Sequence, residues 1–297
     1  MKSGLNDYTV WFLPHILKIP YNKIEHRLLI QKSYKALHII IKMTEIIRYR
    51  ADGQKFCIMP PDHIFKVKPR AAKKTLQTED TGKIFEMAIC LAYGIEYNGK
   101  YKYGMEEPEK IKGRLSKLVE IFPICAHTAE KGARYDYTCI SDKTKHLSAK
   151  TTKKGVGKVA PQVVGQPQPK KFCDMIGVEY TSIIDLKQYI QTEYLKILPT
   201  LIEYTFDCPN VYYNQEKNTI RYITLDTPIE WSQYVFKWTC NWSDWKNSSV
   251  LKIIIQDIEI SLLEIQFHTK SRTNMAIRWF YENFLSVFSK NLSIIDC

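Results

Sequence analysis

The first 75 residues carry a helical hydrophobic pattern followed by an irregular segment. Apolar side chains recur between residues 24 and 50 at the spacing that places them on one helix face. They are Leu28, Leu29, Ala36, Leu37, Ile40, Ile41 and Ile46. Residues 51–82 contain three prolines and several basic side chains, which predict a loop with one short strand. We therefore expect an N-terminal helical extension over residues 1–75 and the main domain over residues 76–297.

Two more helices are expected before residue 125. Residues 83–95 have an apolar face, with N-cap chemistry at Asp80 and a natural C-cap at Gly94. Residues 106–122 begin with acidic side chains and carry Pro108 near the first position, an arrangement favoured by the helix dipole.

Strands dominate the next stretch of the pattern. Residues 133–141, 146–152 and 158–166 read as three consecutive strands of one mixed sheet, separated by polar turns. Later predicted elements are a helix over residues 183–206, a hairpin turning near residues 216–218, a strand pair ending near residue 269 and a closing helix over residues 274–291. The pattern as a whole predicts an α/β protein with a mixed central sheet flanked by helices.

The net charge of the chain adds information about its partner. The chain has 297 residues, and its 43 Lys and Arg residues against 31 Asp and Glu residues give a formal net charge of +12. A composition of 45% hydrophobic and 12% aromatic residues is that of a folded protein. The excess of positive charge favours a nucleic-acid partner.

Several classes of protein are disfavoured by the remaining composition. The eight cysteines are scattered without a Cys-x-x-Cys spacing, so we expect free core thiols in a reducing, intracellular (cytoplasmic) compartment and no structural zinc. Apolar runs are far shorter than the roughly 18 residues that a membrane span needs, so no membrane partner is expected. No Gly-rich phosphate loop is present, so no nucleotide cofactor is expected.

Candidate chemistry gathers around the first two predicted strands. Alternation along a strand places Ser148 and Lys150 on the same face, and a hairpin would bring Asp136 beside them. A carboxylate that holds a divalent cation, together with an ammonium near an attacking water, suits phosphodiester hydrolysis. Glu86, on the helix before these strands, is a candidate for a second carboxylate at the same metal.

These residues resemble the motif of a known family. The order helix Glu86, strand Asp136 and strand Ser148-Ala149-Lys150 resembles the PD-(D/E)XK nuclease superfamily, and specifically its type II restriction endonucleases, over about residues 80–170. Two positions depart from the pattern: Tyr135 replaces the usual Pro, and Ser148 replaces the usual acidic residue. In the second departure the chain is similar to a minority of restriction enzymes that recruit a carboxylate from elsewhere.

The resemblance implies a restriction-endonuclease-like fold over residues 76–297 and Mg²⁺-dependent cleavage of double-stranded DNA at a short specific sequence. It implies that Asp136 ligates the metal and that Glu86 adds a carboxylate directly or through water. Lys150 would orient the attacking water or help to deprotonate it, and Ser148 would hydrogen-bond water or phosphate. The resemblance and symmetry logic also imply a homodimer matched to a palindromic site.

Two polar segments are candidates for DNA contact. Lys153, Lys154 and Lys158 suit phosphates, and Gln162, Gln166 and Gln168 offer amides that can read adenine edges. A second cluster contains His268, Lys270 and Arg272, between a strand and the closing helix. The ordinary alternatives are a solvated lysine loop for the first segment and a polar turn for the second.

Competing interpretations remain open from the sequence. Asp136 bordering a hairpin, Lys150 on a solvated sheet face and Glu86 on an exposed helix stripe would need no chemistry. A non-catalytic DNA-binding protein would use the same positive charge, and a repair or recombination nuclease would use the same residues on other DNA structures. The tryptophans near residues 231–245 fit a core better than a base-stacking surface.

Overall fold

A computed structural model describes residues 47–49, 55–57, 78–129, 133–268 and 274–297. The chain divides into two units, Met1–Lys74 and Thr75–Cys297. In the first unit, strands β1 (Ile47–Tyr49) and β2 (Lys55–Cys57) pair antiparallel. The helix predicted for residues 24–50 is wrong at its end, which is strand β1, and residues 24–46 lie outside the described residues.

The second unit contains seven described α-helices and eleven described strands, numbered in chain order. The helices are α1 (Thr78–Tyr93), α2 (Glu106–Lys112), α3 (Ser116–Ile121), α4 (Pro169–Met175), α5 (Ile183–Thr192), α6 (Tyr194–Phe206) and α7 (Tyr281–Val287). The strands are β3 (Cys125–His127), β4 (Tyr137–Cys139), β5 (His146–Thr152), β6 (Lys158–Val159), β7 (Asn210–Asn214), β8 (Thr219–Leu225), β9 (Val235–Trp238), β10 (Ser248–Ile255), β11 (Ile258–Phe267), β12 (Met275–Phe280) and β13 (Leu292–Asp296).

The strands form two sheets. A six-stranded mixed sheet has the order β13-β8-β7-β5-β4-β3, in which β5 and β7 are parallel and the other neighbours are antiparallel. A five-stranded antiparallel sheet has the order β6-β12-β11-β10-β9. The predicted mixed sheet flanked by helices is therefore present, and a second sheet accompanies it.

Both faces of the six-stranded sheet are covered by apolar side chains. On one face, Phe85 and Ile89 of helix α1 share a core with Val211 and Tyr213 of strand β7. Tyr212, between them in the strand, points into the other core. That second core collects helices α4–α7 and the five-stranded sheet. Strand β7 is buried at all five positions because each face meets a separate core.

The chain crosses from one sheet to the other directly after β5. Residues 153–157 connect β5 to β6, and Gly157 packs against Thr152 at the end of β5. A Cβ atom at position 157 would lie 2.1 Å from the Thr152 Cβ, so only glycine permits this approach. The predicted third strand over residues 158–166 is wrong in extent and in sheet, because only Lys158–Val159 forms a strand and it pairs with β12.

Helix boundaries show further differences from the sequence predictions. Helix α1 begins at Thr78, so Asp80 lies within its first turn and is not its N-cap. Gly94 does end that helix, with φ +64°. The helix predicted over residues 106–122 is two helices, and the one over residues 183–206 breaks at Glu193. The predicted closing helix starts as strand β12 and becomes helical only at Tyr281.

Two compositional predictions have structural counterparts. Five cysteines are free and buried, as expected of core thiols: Cys90, Cys125, Cys139, Cys173 and Cys208. Over the part of the chain that is described, no helix is long and apolar enough to cross a membrane.

A buried carboxylate links strands β7 and β8 to helix α7. Glu282 accepts hydrogen bonds from Asn214 Nδ2 at 2.9 Å and Lys217 Nζ at 2.8 Å, and it also pairs with Arg221. Burial raises the pKa of Glu282, but the bonds from Lys217 and Asn214 and the charge of Arg221 outweigh it and hold the pKa below its usual value.

We predict that Glu282→Gln lowers the free energy of unfolding by about 2 kcal/mol at neutral pH, because the cationic partners lose a buried anion. A carboxyl whose pKa is lowered by folding stabilises the protein above its unfolded pKa, and this contribution is lost as the pH falls through the folded pKa. Urea unfolding of wild type and variant should therefore converge on acidification. Glu259→Gln is the control, because Glu259 is exposed and its pairs with Lys237 and Lys252 should matter little. A stability difference for Glu282→Gln that persists unchanged into acid would contradict the prediction.

Candidate active site

The hairpin of β4 and β5 brings Asp136 next to Ser148. Tyr137 pairs with Leu147, and the same antiparallel register sets Asp136, just before β4, opposite Ser148. The Ser148 hydroxyl donates to Asp136 Oδ2 at 2.8 Å, and the Ala149 N–H donates to the same oxygen at 2.8 Å. No donor from the described residues bonds Asp136 Oδ1. One oxygen of this carboxylate is thus held by the protein and the other remains open to a ligand.

Ser148 does not have the role expected from the sequence. Its side chain is fully buried, and its hydroxyl is used by Asp136. The expectation that Ser148 hydrogen-bonds water or phosphate is therefore corrected: this residue supports the carboxylate and has no exposed surface for substrate.

Lys150 lies two residues further along the same face of β5. Ser148 is aligned with Asn210 of the parallel strand β7, and Lys150 is aligned with Tyr212. The side chain is half-buried, and it makes no ion pair with any described residue.

Asp136, Lys150 and Glu86 act on one another electrostatically. Burial raises the pKa of Asp136 above its usual value, Lys150 lowers it, and the negative charge of Glu86 raises it again. The bonds from Ala149 and Ser148 also favour the ionised form. The charges of Lys150 and Glu86, the other two charged residues that the sequence singled out, therefore both act on Asp136.

Helix α1 is held against the hairpin at the level of Glu86. Phe85, Ala88 and Ile89 are buried in the core beneath the helix, while the Glu86 side chain is 19% exposed. The Tyr137 hydroxyl donates to the Glu86 backbone carbonyl at 2.7 Å. This bond ties the helix to the strand that begins directly after Asp136.

Two side chains that contact Glu86 were not identified from the sequence. Tyr97 donates its hydroxyl to Glu86 Oε2 at 3.4 Å, and His127 Nε2 lies 3.4 Å from the same oxygen. His127 is an inward position of the short strand β3, where a buried histidine gives no sign of its partner. Only the pairing of β3 with β4 brings it to helix α1, so no local pattern could have found it.

Tyr135, which replaces the expected Pro, packs on the hairpin. Its ring stacks on His146 of β5 with centroids 3.8 Å apart and an interplanar angle of 7°. Arg134 lies over the Tyr135 ring and pairs with Asp207 at 2.6 Å. The departure from the family pattern therefore adds an aromatic contact beside Asp136.

The predicted DNA-contacting residues fall into three groups. Lys154, Gln166 and Gln168 are exposed, and Lys153 and His268 are half-buried. Lys158 is paired with Glu264 at 2.8 Å, so its charge is already partly neutralised. Lys270 and Arg272 lie outside the described residues.

Gln162 requires a correction. It is 7% exposed, and its amide donates to Cys208 Sγ at 3.4 Å. Its backbone N–H donates to the Tyr204 carbonyl at 2.9 Å. A buried amide cannot reach a base edge, so Gln162 belongs to the protein interior and not to a DNA-reading surface.

The donor set suits a magnesium ion. Asp136 Oδ1 and Glu86 Oε1 accept no hydrogen bond from the described residues, while the second oxygen of each carboxylate faces protein donors. Over the described part of the chain, no three His, Cys, Asp or Glu side chains form a potential metal cluster. A cation held by Asp136 and Glu86 would fill its other positions with water and substrate, as Mg²⁺ commonly does.

Comparison with known proteins adds one relative. The type II restriction enzyme CviAII of Paramecium bursaria Chlorella virus 1 is 40% identical to this chain over 222 residues. The alignment covers 74% of this chain and 63% of the relative, so the chain spans somewhat less than two thirds of that enzyme's length. No protein-family model matches the chain. No solved structure matches it either.

Proposed function

We propose that this protein is a type II restriction endonuclease that uses Mg²⁺ to cleave double-stranded DNA at a short specific sequence. The observation that carries the proposal is that the Glu86 and Lys150 charges both act on Asp136, while one oxygen of each carboxylate accepts no hydrogen bond from the described residues. The 40% identity to a type II restriction enzyme supports the reaction class, and the net charge of +12 supports a DNA substrate.

The fold is also proposed to be that of the PD-(D/E)XK nucleases. In support, helix α1 precedes the antiparallel strands β3, β4 and β5, and the six-stranded sheet places the parallel strand β7 next to β5. Ser148 in place of the usual acidic residue is accommodated because Asp136 takes its hydroxyl hydrogen bond. Glu86 supplies the second carboxylate from the helix.

In the proposed mechanism, Asp136 and Glu86 would hold the cation through Oδ1 and Oε1. Bound Mg²⁺ supplies positive charge that offsets the negative charge developing on the phosphate. Lys150 would act in one of two ways: as an ammonium it would orient the attacking water and stabilise the same developing charge, and as a neutral amine it would accept the proton of that water. Ser148 and the Ala149 N–H keep the Asp136 carboxylate fixed during these events.

A homodimer is part of the proposal. Two copies related by a two-fold axis would place one Asp136–Lys150 pair on each strand of a palindromic duplex, which is how symmetric subunits match symmetric DNA.

The catalytic prediction uses substitutions that preserve shape. Asp136→Asn keeps an oxygen that can accept the bonds from Ser148 and Ala149 but removes the charge, and Lys150→Ala removes the ammonium. Each should lower the cleavage rate by at least about 100-fold, because each removes charge stabilisation from the transition state. Plasmid cleavage with Mg²⁺, beside an EDTA control, measures the rate. Specific DNA binding should be largely retained.

Matched controls lie in the turn of the same hairpin. Asp142→Asn changes a half-buried residue and Lys143→Ala changes an exposed one, and both should leave cleavage unchanged. Near wild-type cleavage by Asp136→Asn would remove the proposed active site. Intact plasmid with wild-type protein, despite strong binding, would instead favour a DNA-binding protein without catalytic activity.

The recognition prediction separates charge from amide contacts. Lys153→Ala and Lys154→Ala should weaken binding to all sequences and reduce the slope of log K against log salt by about 0.9 for each lost phosphate contact. Gln166→Ala and Gln168→Ala should weaken binding to the cognate site much more than to random DNA, by about 1–3 kcal/mol per lost base contact. Titrations of both DNAs at several salt concentrations distinguish the two effects.

Two other glutamines serve as controls for that experiment. Gln188 is exposed on helix α5, and Gln188→Ala should change neither affinity nor its salt dependence. Gln162→Ala should lower stability and leave the preference for cognate DNA unchanged, because this amide is buried. An unchanged ratio of cognate to random affinity in a Gln166→Ala, Gln168→Ala double variant would place recognition elsewhere on the protein.

A further inference from the structure

A buried histidine faces the carboxylate of Glu86. The His127 side chain has no exposed surface, and its Nε2 atom lies 3.4 Å from Glu86 Oε2. No hydrogen-bond partner of normal geometry is available to Nε2 within the described residues. The Glu86 carboxylate is thus the nearest acceptor for a buried polar atom that would otherwise be left unpaired.

The proton position on this histidine follows from its other nitrogen. The backbone N–H of Asn98 donates to His127 Nδ1 at 2.9 Å, so Nδ1 must present a lone pair. The neutral ring therefore carries its proton on Nε2, the atom that faces Glu86. The backbone at Asn98 thus sets the tautomer and leaves the Nε2–H on the side of the ring that faces the carboxylate.

The imidazole ring is held in place on its two sides. The ring of Tyr97 stacks on it with centroids 4.4 Å apart, and the ring of Tyr137 packs against it with centroids 5.1 Å apart. Tyr97 also directs its hydroxyl to Glu86 Oε2, and Tyr137 binds the Glu86 backbone carbonyl. Both the backbone and the side chain of Glu86 are therefore positioned by residues packed around one histidine.

At both Glu86 and Asp136 the protein donors lie on one oxygen of the carboxylate, at shorter distances for Asp136 than for Glu86. The donors near Glu86 face Oε2, and the donors to Asp136 bond Oδ2. Each carboxylate then presents its remaining oxygen, Oε1 or Oδ1. A donor that fixes one oxygen of a ligating carboxylate orients the other, and such supporting residues commonly affect metal affinity strongly.

We propose that His127 is a positioning residue: its Nε2–H orients the Glu86 carboxylate so that Oε1 is presented to a divalent cation. This inference rests on the proposed function, which assigns Glu86 to the metal. It predicts that the donor at Nε2 matters, and not only the volume of the ring. A residue that merely filled space in the core would be replaced equally well by an apolar side chain.

The test measures binding of Mn²⁺ alone to the full chain by titration calorimetry, with thermal unfolding of each variant in parallel. His127→Leu fills the site without a donor and should weaken Mn²⁺ binding about tenfold. His127→Gln can accept from the Asn98 N–H and donate to Glu86, so its affinity should stay within about threefold of wild type. Tyr97→Phe removes only the second, more exposed donor and should weaken Mn²⁺ binding by about threefold.

Two comparisons keep the test decisive. Tyr93→Phe removes hydrogen bonds from helix α1 to the carbonyls of Leu118 and Phe122, and it should leave Mn²⁺ affinity unchanged. If His127→Leu does not fold, His127→Asn replaces it, because this polar side chain is too short to contact Asn98 and Glu86 together. It should also lose about tenfold in affinity while His127→Gln does not.

The outcomes separate this inference from the proposed function. Equal Mn²⁺ affinity for His127→Gln and for His127→Leu or His127→Asn would overturn the positioning role alone, provided that Glu86→Gln loses Mn²⁺. Wild-type Mn²⁺ affinity in Glu86→Gln would remove Glu86 from the metal site and overturn this inference, whereas the proposed nuclease activity is judged separately by plasmid cleavage with Asp136→Asn.

Discussion

Two hydrogen bonds to Asp136 Oδ2 set the geometry on which the site depends. Burying a charged carboxylate, even partly, is unfavourable in free energy unless it accepts hydrogen bonds. The Ser148 hydroxyl and the Ala149 N–H, on adjacent residues of β5, donate these bonds to Asp136. These bonds are possible only in the register that sets Tyr137 opposite Leu147. A slip of one residue would turn Lys150 to the face of the sheet that helix α1 covers, and its charge would then be buried in that core. The register of the hairpin therefore determines both the hydrogen bonds of Asp136 and the face of the sheet on which Lys150 lies.

The second carboxylate depends on the packing of helix α1. Phe85 and Ile89 are buried on one side of the helix, and the Tyr137 hydroxyl fixes the position of the helix relative to β4 by donating to the Glu86 carbonyl. The same tyrosine packs against His127, so a single aromatic residue of β4 contacts both the backbone and the side-chain support of Glu86. Because Tyr137 follows Asp136 directly, the support of Glu86 and the carboxylate of Asp136 come from adjacent residues of the chain.

Local patterns in the sequence account for a large part of this arrangement. Alternation identified β5 with its observed bounds and placed Ser148 and Lys150 on one face, and the polar turn before β5 indicated its hairpin with β4. Continuous apolar segments were misread, because β12 is buried in the second core and lacks alternation, so its pattern fits a helix equally well. The contacts of His127 and the burial of Gln162 depend on residues far apart in the chain, which no local period records.

The short connection after β5, residues 153–157, joins the two sheets and is itself held by close contacts. Gly157 rests on Thr152, and the Gly155 N–H donates to Glu216 Oε2 at 2.8 Å, so the crossing is fastened to the hairpin of β7 and β8 as well. Lys150 and the exposed Gln166 are thus separated by a stretch of chain that has little freedom to lengthen or rotate. Domain-swapped chimaeras that exchange the second sheet for a foreign one would break this continuous strand path. Under the proposed function, a change of DNA target would therefore be made residue by residue on the existing surface and not by exchanging modules.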